Sequence, residues 1–287
     1  MDVGKIIASD KTLEAVAAAV ELAQSSVGRG YLGASEIGNE CPRRLWYGFR
    51  DYSNVWFDVD TLYRFEDGHI SEDTQAARLK MVCELETHDP VSGKQFGFAA
   101  VDGHFRGHCD GLIWKGLVEA PATPHVWEAK ACGEAVYKKL LKLKQDHPEK
   151  DVLEQWNRVY WAQAQLYMHE FKMKRHYLTA STPGARQWTS VRTDYDEKAA
   201  LFYLERAERI IASNNPPPRI AQNPSDFRCK WCSHTDVCFK EEPGQVGCRT
   251  CRHSYAGAKG TWVCELHSKV LDRDAQIDAC GDHDYIP

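Results

Sequence analysis

Three ionisable residues lie on two segments that otherwise have the composition of half-buried β-strands. Asp110 follows RGHC, and Glu128 and Lys130 occur in VWEAKA, eighteen and twenty residues further on. Side chains two residues apart in a strand share a face, so Glu128 and Lys130 project together, opposite Trp127 and Ala129. If the two strands pair, Asp110 reaches the same point. The pattern predicts a compact group of two carboxylates and one lysine.

Such a group has a specific chemical consequence. Two carboxylates at close range repel each other, and one of them keeps its proton unless a cation lies between them. Hard oxygen ligands with room for water suit Mg²⁺ or Mn²⁺. A lysine beside that ion could position or deprotonate a water molecule. From spacing alone the alternative is a surface salt bridge between Glu128 and Lys130, with Asp110 in a turn.

The elements around these residues predict an α/β protein. Alternation and glycine punctuation predict two or three antiparallel strands between residues 94 and 131, and a later hairpin formed by KRHYLTAST and QWTSVRT. Apolar periodicity predicts helices over 11–24, 61–82, 134–144, 150–171 and 195–213. Helices and antiparallel strands in this order indicate layers around one core and not a regular βαβ series.

Length and charge narrow the class of protein. A chain of 287 residues accommodates one large domain with an appendage. No apolar run approaches the roughly 20 residues of a membrane span, and the start has no secretory signal pattern, so we expect a cytoplasmic protein. The formal net charge of -5 argues against a general attraction to nucleic acid but not against a local one.

Eleven cysteines in such a chain are not expected to form disulfides in a reducing compartment. C229-K-W-C232 followed by Cys238 needs a fourth ligand, and the best candidate is the distant Cys41 in NECPRRLWYGFR. A second set has the spacing of a structural zinc site. Its members are Cys248, Cys251, Cys264 and Cys280, with His253, His267 and His283 as alternative ligands. The remaining cysteines, Cys83, Cys109 and Cys132, are expected to pack as small apolar residues.

G107-H-C-D110 followed by E128-A-K130 resembles the PD-(D/E)xK nuclease superfamily, in its RecB-like and lambda-exonuclease-like branch. The resemblance covers about residues 30–240 and extends to YWAQAQLYM, in which Gln163 and Tyr167 share a helical face. It implies an α/β, restriction-endonuclease-like core, with a mixed central sheet flanked by helices and a small Cys-rich metal-binding C-terminal tail. It also implies that Gln163 and Tyr167 contact DNA and support the lysine; core packing is the alternative.

The same resemblance assigns metal ligands. Gly68-His69 matches the histidine ligand of the RecB-like branch, and Glu72 matches the glutamate of the lambda-type branch; His69 is preferred and Glu72 is the alternative. Asp110, Glu128 and the carbonyl of Ala129 would hold one or two Mg²⁺ or Mn²⁺ ions. The catalytic and metal-binding residues implied are therefore His69 or Glu72 with Asp110, Glu128, Ala129, Lys130, Gln163 and Tyr167.

Iron–sulfur members of this branch, including the CRISPR-associated adaptation exonuclease and the helicase-nuclease AddB, carry one cysteine before the nuclease core and three after it. This resemblance implies a 4Fe-4S cluster held by Cys41, Cys229, Cys232 and Cys238. Zinc in the same four thiolates, or thiols without a ligand, are the alternatives. The predicted organisation is an N-terminal helix (1–29), a nuclease domain closed by this cluster (30–240) and a zinc-binding tail (241–287).

The function implied is a metal-dependent deoxyribonuclease, specifically an exonuclease that hydrolyses phosphodiester bonds at DNA ends in recombination, repair or phage DNA metabolism. Its partners would be single-stranded DNA or DNA with free ends, and a recombination protein, in the cytoplasm of a bacterium or of a phage's host, with no membrane. The alternatives are an endonuclease or a ribonuclease using the same site. A further alternative is a non-catalytic nucleic-acid-binding protein with structural metal sites.

Overall fold

The computed structural model describes residues 10–24, 28–53, 55–240 and 242–286. The helices of these ranges are α1 (Lys11–Ala23), α2 (Pro42–Phe49), α3 (Val59–Leu79), α4 (Glu134–Asp146), α5 (Glu149–Trp156), α6 (Arg158–Glu170), α7 (Glu197–Ala212), α8 (Thr235–Phe239) and α9 (Arg273–Ile277). The strands are β1 (Leu32–Gly33), β2 (Glu84–Glu86), β3 (Gly97–Ala100), β4 (Phe105–His108), β5 (Gly111–Lys115), β6 (His125–Ala131), β7 (Arg175–Ser181), β8 (Trp188–Asp194), β9 (Ser254–Ala256), β10 (Trp262–Cys264) and β11 (Lys269–Leu271).

A five-stranded mixed sheet forms the centre, in the order β2-β5-β6-β7-β8. Strands β6 and β7 run parallel, and the other neighbours are antiparallel. The parallel pair is joined through α4, α5 and α6, as a parallel connection requires a crossover. A separate three-stranded sheet has the order β1-β4-β3. A second small sheet, β11-β10-β9, lies in the tail.

Helices cover both faces of the central sheet. On one face, Ala76 and Leu79 of α3 pack with Ile113 of β5 and with Trp127 and Ala129 of β6. The opposite face contributes to the main core, whose members include Val126, Leu178, Val191, Ala162 and Leu166. The predicted fold class, a mixed central sheet flanked by helices and consistent with a restriction-endonuclease-like core, is confirmed.

Two elements differ from the sequence prediction. The helix predicted over 150–171 is divided into α5 and α6 at Asn157, whose side-chain oxygen accepts hydrogen bonds from the backbone N–H groups of Val159 and Tyr160. The asparagine therefore acts as an N-cap that starts a new helix. The strand expected through Asp110 is also divided there, because β4 pairs within the small sheet and β5 pairs with β2 and β6. Asp110 lies at the junction.

The tail packs on the end of α2 and on the main core. Trp262 is buried there, and the guanidinium groups of Arg50 and Arg249 lie 5.1 and 5.3 Å from its ring. Arg50 donates hydrogen bonds to the carbonyls of Arg249 and Ser254, and Arg249 donates one to the carbonyl of Phe49. Burial, and then the charge of Arg249, lowers the pKa of Arg50 to about 10. The tail and α2 thus share one packed interface.

In the part of the chain that the structure describes, no helix combines the length and the apolar character that a bilayer crossing needs.

Trp262→Ala is expected to lower the free energy of unfolding by about 3–5 kcal/mol, the usual cost of truncating a buried tryptophan. The replacement removes the surface that Arg50 and Arg249 stack on, so the loss should appear as a clear fall in melting temperature by circular dichroism. Trp231→Ala is the matched control, because Trp231 is 84% exposed. Equal melting temperatures for the two variants would contradict this account of the tail.

Candidate active site and cysteine clusters

Asp110, Glu128 and Lys130 meet at the junction of β4 and β5 with β6. One carboxylate oxygen of Asp110 accepts a hydrogen bond of 2.7 Å from the backbone N–H of Ala129. Lys130 Nζ lies 2.7 Å from Glu128 Oε2, and both side chains are on the face of β6 opposite Trp127. The predicted sharing of one strand face is confirmed, and so is the approach of Asp110 to β6.

The Glu128 carboxylate is buried in this group. Its side chain is 3% exposed, and that of Lys130 is 20% exposed. Burial, and then repulsion by Asp110, raises the pKa of Glu128 to about 8. Burial acts to lower the pKa of Lys130, but the Glu128 and Asp110 carboxylates raise it overall. Glu128 Oε1 has no hydrogen-bond partner among the described residues, so one buried acceptor remains available to a ligand.

Glu72 of α3 is the third carboxylate at this site. Burial, and then repulsion by Asp110, raises the pKa of Glu72 to about 7, while Lys130 acts in the opposite direction. The helix is held on the sheet by Ser71, whose hydroxyl lies 2.8 Å from that of Ser181 on β7. Gln75 donates hydrogen bonds to the same two hydroxyls. These buried contacts fix the rotation of α3 and with it the direction of Glu72.

His69, the preferred ligand, and Glu72, its alternative, differ in exposure. His69 is exposed, whereas Glu72, three residues further along α3, is half-buried, and the charges of Asp110 and Lys130 shift its pKa. The choice between the two stays a prediction, and the position of Glu72 near Asp110 is the observation that supports Glu72.

The helical motif on α6 forms hydrogen bonds in the protein interior. Tyr167 donates a hydrogen bond of 2.6 Å to the carbonyl of His108, and Gln163 donates one of 2.9 Å to the Tyr167 hydroxyl. Both side chains are buried, Tyr167 to 1% exposure, as in the core-packing alternative, and their contact with DNA stays a prediction. The pair fixes the backbone two residues before Asp110, and neither of these hydrogen bonds involves Lys130.

Lys130 instead packs on Tyr160. The ammonium lies 5.3 Å from the centre of the Tyr160 ring, within the range of a cation–π interaction. The sequence did not indicate a role for Tyr160. The available signal is its position three residues before Gln163, which places both side chains on one helical face.

The donor set at this site fits a divalent cation. Three carboxylates, Glu72, Asp110 and Glu128, lie near one lysine, and the pKa values of Glu72 and Glu128 are raised, first by burial and then by repulsion from Asp110. A cation between them would relieve this repulsion and would give the free Glu128 Oε1 a partner. The Ala129 carbonyl stays a predicted ligand.

The first cysteine set surrounds one cavity of about 380 Å³. Cys41, Cys229, Cys232 and Cys238 all line it, and Cys41 also caps α2 by accepting a hydrogen bond from the backbone N–H of Arg44. Four guanidinium groups line the same cavity, those of Arg43, Arg44, Arg219 and Arg228. Four sulfur donors surrounded by positive charge fit an anionic metal–thiolate centre.

The second set surrounds a smaller cavity of about 270 Å³ in the tail. It is lined by Cys248, Cys251, Cys264 and Cys280 together with His253, His267 and His283. His267 Nε2 lies 3.6 Å from Cys280 Sγ and 3.2 Å from Asp282 Oδ2. These three are the one group of potential ligands within 4.8 Å of one another that the described residues contain. The donor set fits a zinc ion, and Asp282 is a neighbour that the sequence did not indicate.

The three other cysteines behave as apolar residues. Cys83 and Cys109 are buried in the two hydrophobic clusters, and Cys132 packs at the edge of one. Burial raises the thiol pKa of all three. The prediction that they serve packing is consistent with these positions.

No protein-family profile matches the chain, and no curated protein matches it in sequence. Among solved structures, SSO0001 aligns at a TM-score of 0.44 and 16% identity, over 80% of this chain and 97% of that one. An alkaline exonuclease from Laribacter hongkongensis aligns at 0.40 and 16%, over 69% and 91%. A phage-related exonuclease from Haemophilus somnus 129PT aligns at 0.41 and 10%, over 63% and 91%. At these scores the likenesses carry no argument about activity.

Glu72→Gln is expected to stabilise the metal-free protein at high pH, because a neutral amide avoids both the burial of a charged carboxylate and the repulsion by Asp110. The folded pKa of Glu72 is about 7 against an ordinary 4.5. The cost of ionising Glu72 therefore appears as the pH rises above 4.5 and is complete above 7. The difference in melting temperature between variant and wild type should open over that window.

Thermal melts in chelator from pH 4 to 9 measure this difference. Glu66→Gln is the control, because Glu66 is an exposed glutamate on the same helix. A constant difference at every pH for Glu72→Gln would show that Glu72 does not face the other carboxylates.

Proposed function

We propose that this protein is a Mg²⁺- or Mn²⁺-dependent deoxyribonuclease that acts on DNA ends. The observation that carries the proposal is the position of Asp110 and Glu128 together at β6, with Lys130 2.7 Å from Glu128 Oε2. Glu72 of α3 is close enough for Asp110 and Lys130 to shift its pKa, although the oxygens of the three carboxylates are not all within 4.8 Å of one another. Three carboxylates with a lysine beside them can hold a divalent cation and place a positive charge at a reacting phosphate. A structural salt bridge would need only the Glu128–Lys130 pair.

Each residue of the proposed site has a defined part in this chemistry. Glu72, Asp110 and Glu128 would hold the cation, with the Ala129 carbonyl as a further ligand. When bound, a divalent cation polarises the scissile phosphate, lowers the pKa of a bound water and stabilises the leaving oxygen. Asp110 keeps its direction through the Ala129 N–H, and the segment before it is fixed by Tyr167.

Lys130 is the group that would act on the reacting atoms. Glu128 and the Tyr160 ring hold its ammonium in place, and the raised pKa keeps it protonated. A protonated lysine orients the attacking water by donating a hydrogen bond, and it offsets the negative charge that develops on the phosphate oxygens. Because it stays charged, Lys130 acts as an electrostatic group and not as the general base.

The choice of DNA ends rests on the sequence resemblance to RecB-like and lambda-exonuclease-like enzymes. The same resemblance implies a role in recombination, repair or phage DNA metabolism, in a cytoplasm. The same site would serve an endonuclease or a ribonuclease, and a non-catalytic DNA-binding protein is the remaining alternative. Incubation with end-labelled linear DNA, circular DNA and RNA in Mg²⁺ or Mn²⁺ distinguishes them. We expect cleavage of linear DNA only.

Lys130→Ala is expected to reduce cleavage of linear DNA by about 10²–10³-fold, the effect of removing one donor to the transition state. The fold should persist, because Glu128 can take up a proton when the lysine is absent; circular dichroism checks this. Lys138→Ala is the control, since Lys138 is an exposed lysine that pairs only with Glu134. Undiminished cleavage by a folded Lys130→Ala protein would overturn the assignment.

We further propose a 4Fe-4S cluster in the cavity of Cys41, Cys229, Cys232 and Cys238, and zinc in the tail cavity. The arginines that line the first cavity support the assignment. The cluster would join the start of α2 to the segment before α8, two parts of the chain that are almost 190 residues apart.

Protein purified without oxygen is expected to absorb visible light and to contain iron and sulfide in equal amounts, together with one zinc. Cys41→Ser should lose the visible absorption and the iron but keep the zinc, because Cys41 lines only the first cavity. Cys264→Ser should do the reverse. A colourless wild-type protein with two zinc ions would contradict the cluster and leave the nuclease proposal unaffected.

A further inference from the structure

An open cleft of about 1660 Å³ lies between the segment before α2, the start of α3 and the cysteine segment. Aromatic and positively charged side chains line it, namely Tyr31, Phe57, Phe65, Trp231, Arg29 and Arg44. Glu72, Asp110, Glu128 and the cysteines are not part of its wall, but Arg44 and His234 line both this cleft and the first cysteine cavity. The cleft therefore adjoins the first cysteine set and is separate from the carboxylate site.

Trp231 is the most exposed aromatic residue of the cleft. It lies between Cys229 and Cys232 and is 84% exposed. A tryptophan on a loop of this kind has no packing role, because so little of it is buried, and large exposed apolar side chains mark interaction sites. The backbone N–H of Cys232 donates a hydrogen bond of 2.9 Å to the carbonyl of Cys229, so the ring projects from a closed turn.

Phe65 connects the cleft to the carboxylates. It is 48% exposed and stacks edge-on with Phe57, with 5.1 Å between ring centres. Phe65 and Glu72 are seven residues apart on α3, close to two turns, so they share one face of the helix at a separation of about 10 Å. The exposed His69 lies between them on that face. A ligand along α3 would pass from Phe65 to the active site.

The charges of the cleft are few and balanced. Arg29 and Arg44 face it, and so do Glu36 and Asp51, the latter lying 3.8 Å from Arg249. This surface is therefore not expected to attract many phosphates. It offers aromatic ring faces and two guanidinium groups, and this combination binds unpaired nucleic acid by stacking.

We propose that this cleft binds single-stranded DNA, with bases stacked on Trp231 and Phe65 and phosphates near Arg29 and Arg44. A duplex does not fit the same chemistry, because its base faces are already stacked on one another. The bound strand would follow α3 to Glu72, Asp110 and Glu128. That last step rests on the proposed nuclease function, whereas binding in the cleft does not.

Binding of labelled oligonucleotides by fluorescence anisotropy tests the proposal, in a Lys130→Ala background that prevents cleavage. Trp231→Ala and Phe65→Ala are each expected to weaken binding of a dT oligonucleotide about 5- to 100-fold, the range for loss of one stacking platform. An abasic oligonucleotide of equal length should bind all variants equally, and Trp231→Phe should restore most of the affinity. Trp56→Ala, at an exposed tryptophan outside the cleft, is the control.

Salt dependence gives an independent measurement. Two phosphate contacts predict a slope of about -1.4 for log affinity against log salt concentration, since each contributes roughly -0.7 on a single strand. Retained iron content in Trp231→Ala shows that the loop has not been lost, and Phe65 is far from the cysteines in sequence.

Unchanged dT affinity in Trp231→Ala and Phe65→Ala would overturn the proposal and would favour a peptide as the occupant of the cleft. An equal loss on abasic DNA, or a duplex bound as tightly as the single strand, would also overturn it. If wild-type protein cleaves no DNA but its dT binding depends on Trp231, the nuclease function fails and the cleft assignment stands. If wild-type protein cleaves DNA but its dT binding does not depend on Trp231, the nuclease function stands and the cleft assignment fails.

Discussion

The buried Glu128–Lys130 ion pair is the interaction on which the rest of the site depends. Alone it would be neutral, but Asp110 and Glu72 add two further carboxylates, which Lys130 compensates only in part. Partly compensated charge in a protein interior destabilises the fold. The pair persists because α3 is tied to β7 through Ser71, and because the segment before Asp110 is tied to α6 through Tyr167. A site held in this way is preorganised for a cation.

Helix α2 connects the other parts of the molecule. Its first turn is capped by Cys41, a member of the first cysteine set, and Arg50 at its end donates hydrogen bonds to the tail. Phe49 accepts a hydrogen bond from Arg249 of the tail, next to the second cysteine set. A metal at either cavity would therefore stabilise the same helix from opposite ends. This arrangement explains why a tail with little core of its own is packed against the larger domain.

Strand periodicity predicted that Glu128 and Lys130 share one face, but spacing alone left a salt bridge as the alternative. The resemblance to a nuclease superfamily was needed to predict a metal site and a mixed central sheet. The exposure of His69 and the half-burial of Glu72 could not be predicted, because they depend on how α3 packs on β7. The hydrogen bond from Tyr167 to His108 could not be predicted either, because it is a tertiary contact. The break at Asn157 depended on a local cap within an otherwise continuous apolar pattern.

Divalent-cation binding by Glu72, Asp110 and Glu128 can be measured directly by calorimetric titration of Mn²⁺ into protein with both cysteine centres filled. Asp110→Asn is the comparison, because asparagine keeps the hydrogen bond to Ala129 but removes the charge. We expect wild type to bind one or two Mn²⁺ ions, with binding lost or at least tenfold weaker in Asp110→Asn. Equal Mn²⁺ affinity in the two proteins, or no binding by wild type, would contradict a cation site at these carboxylates.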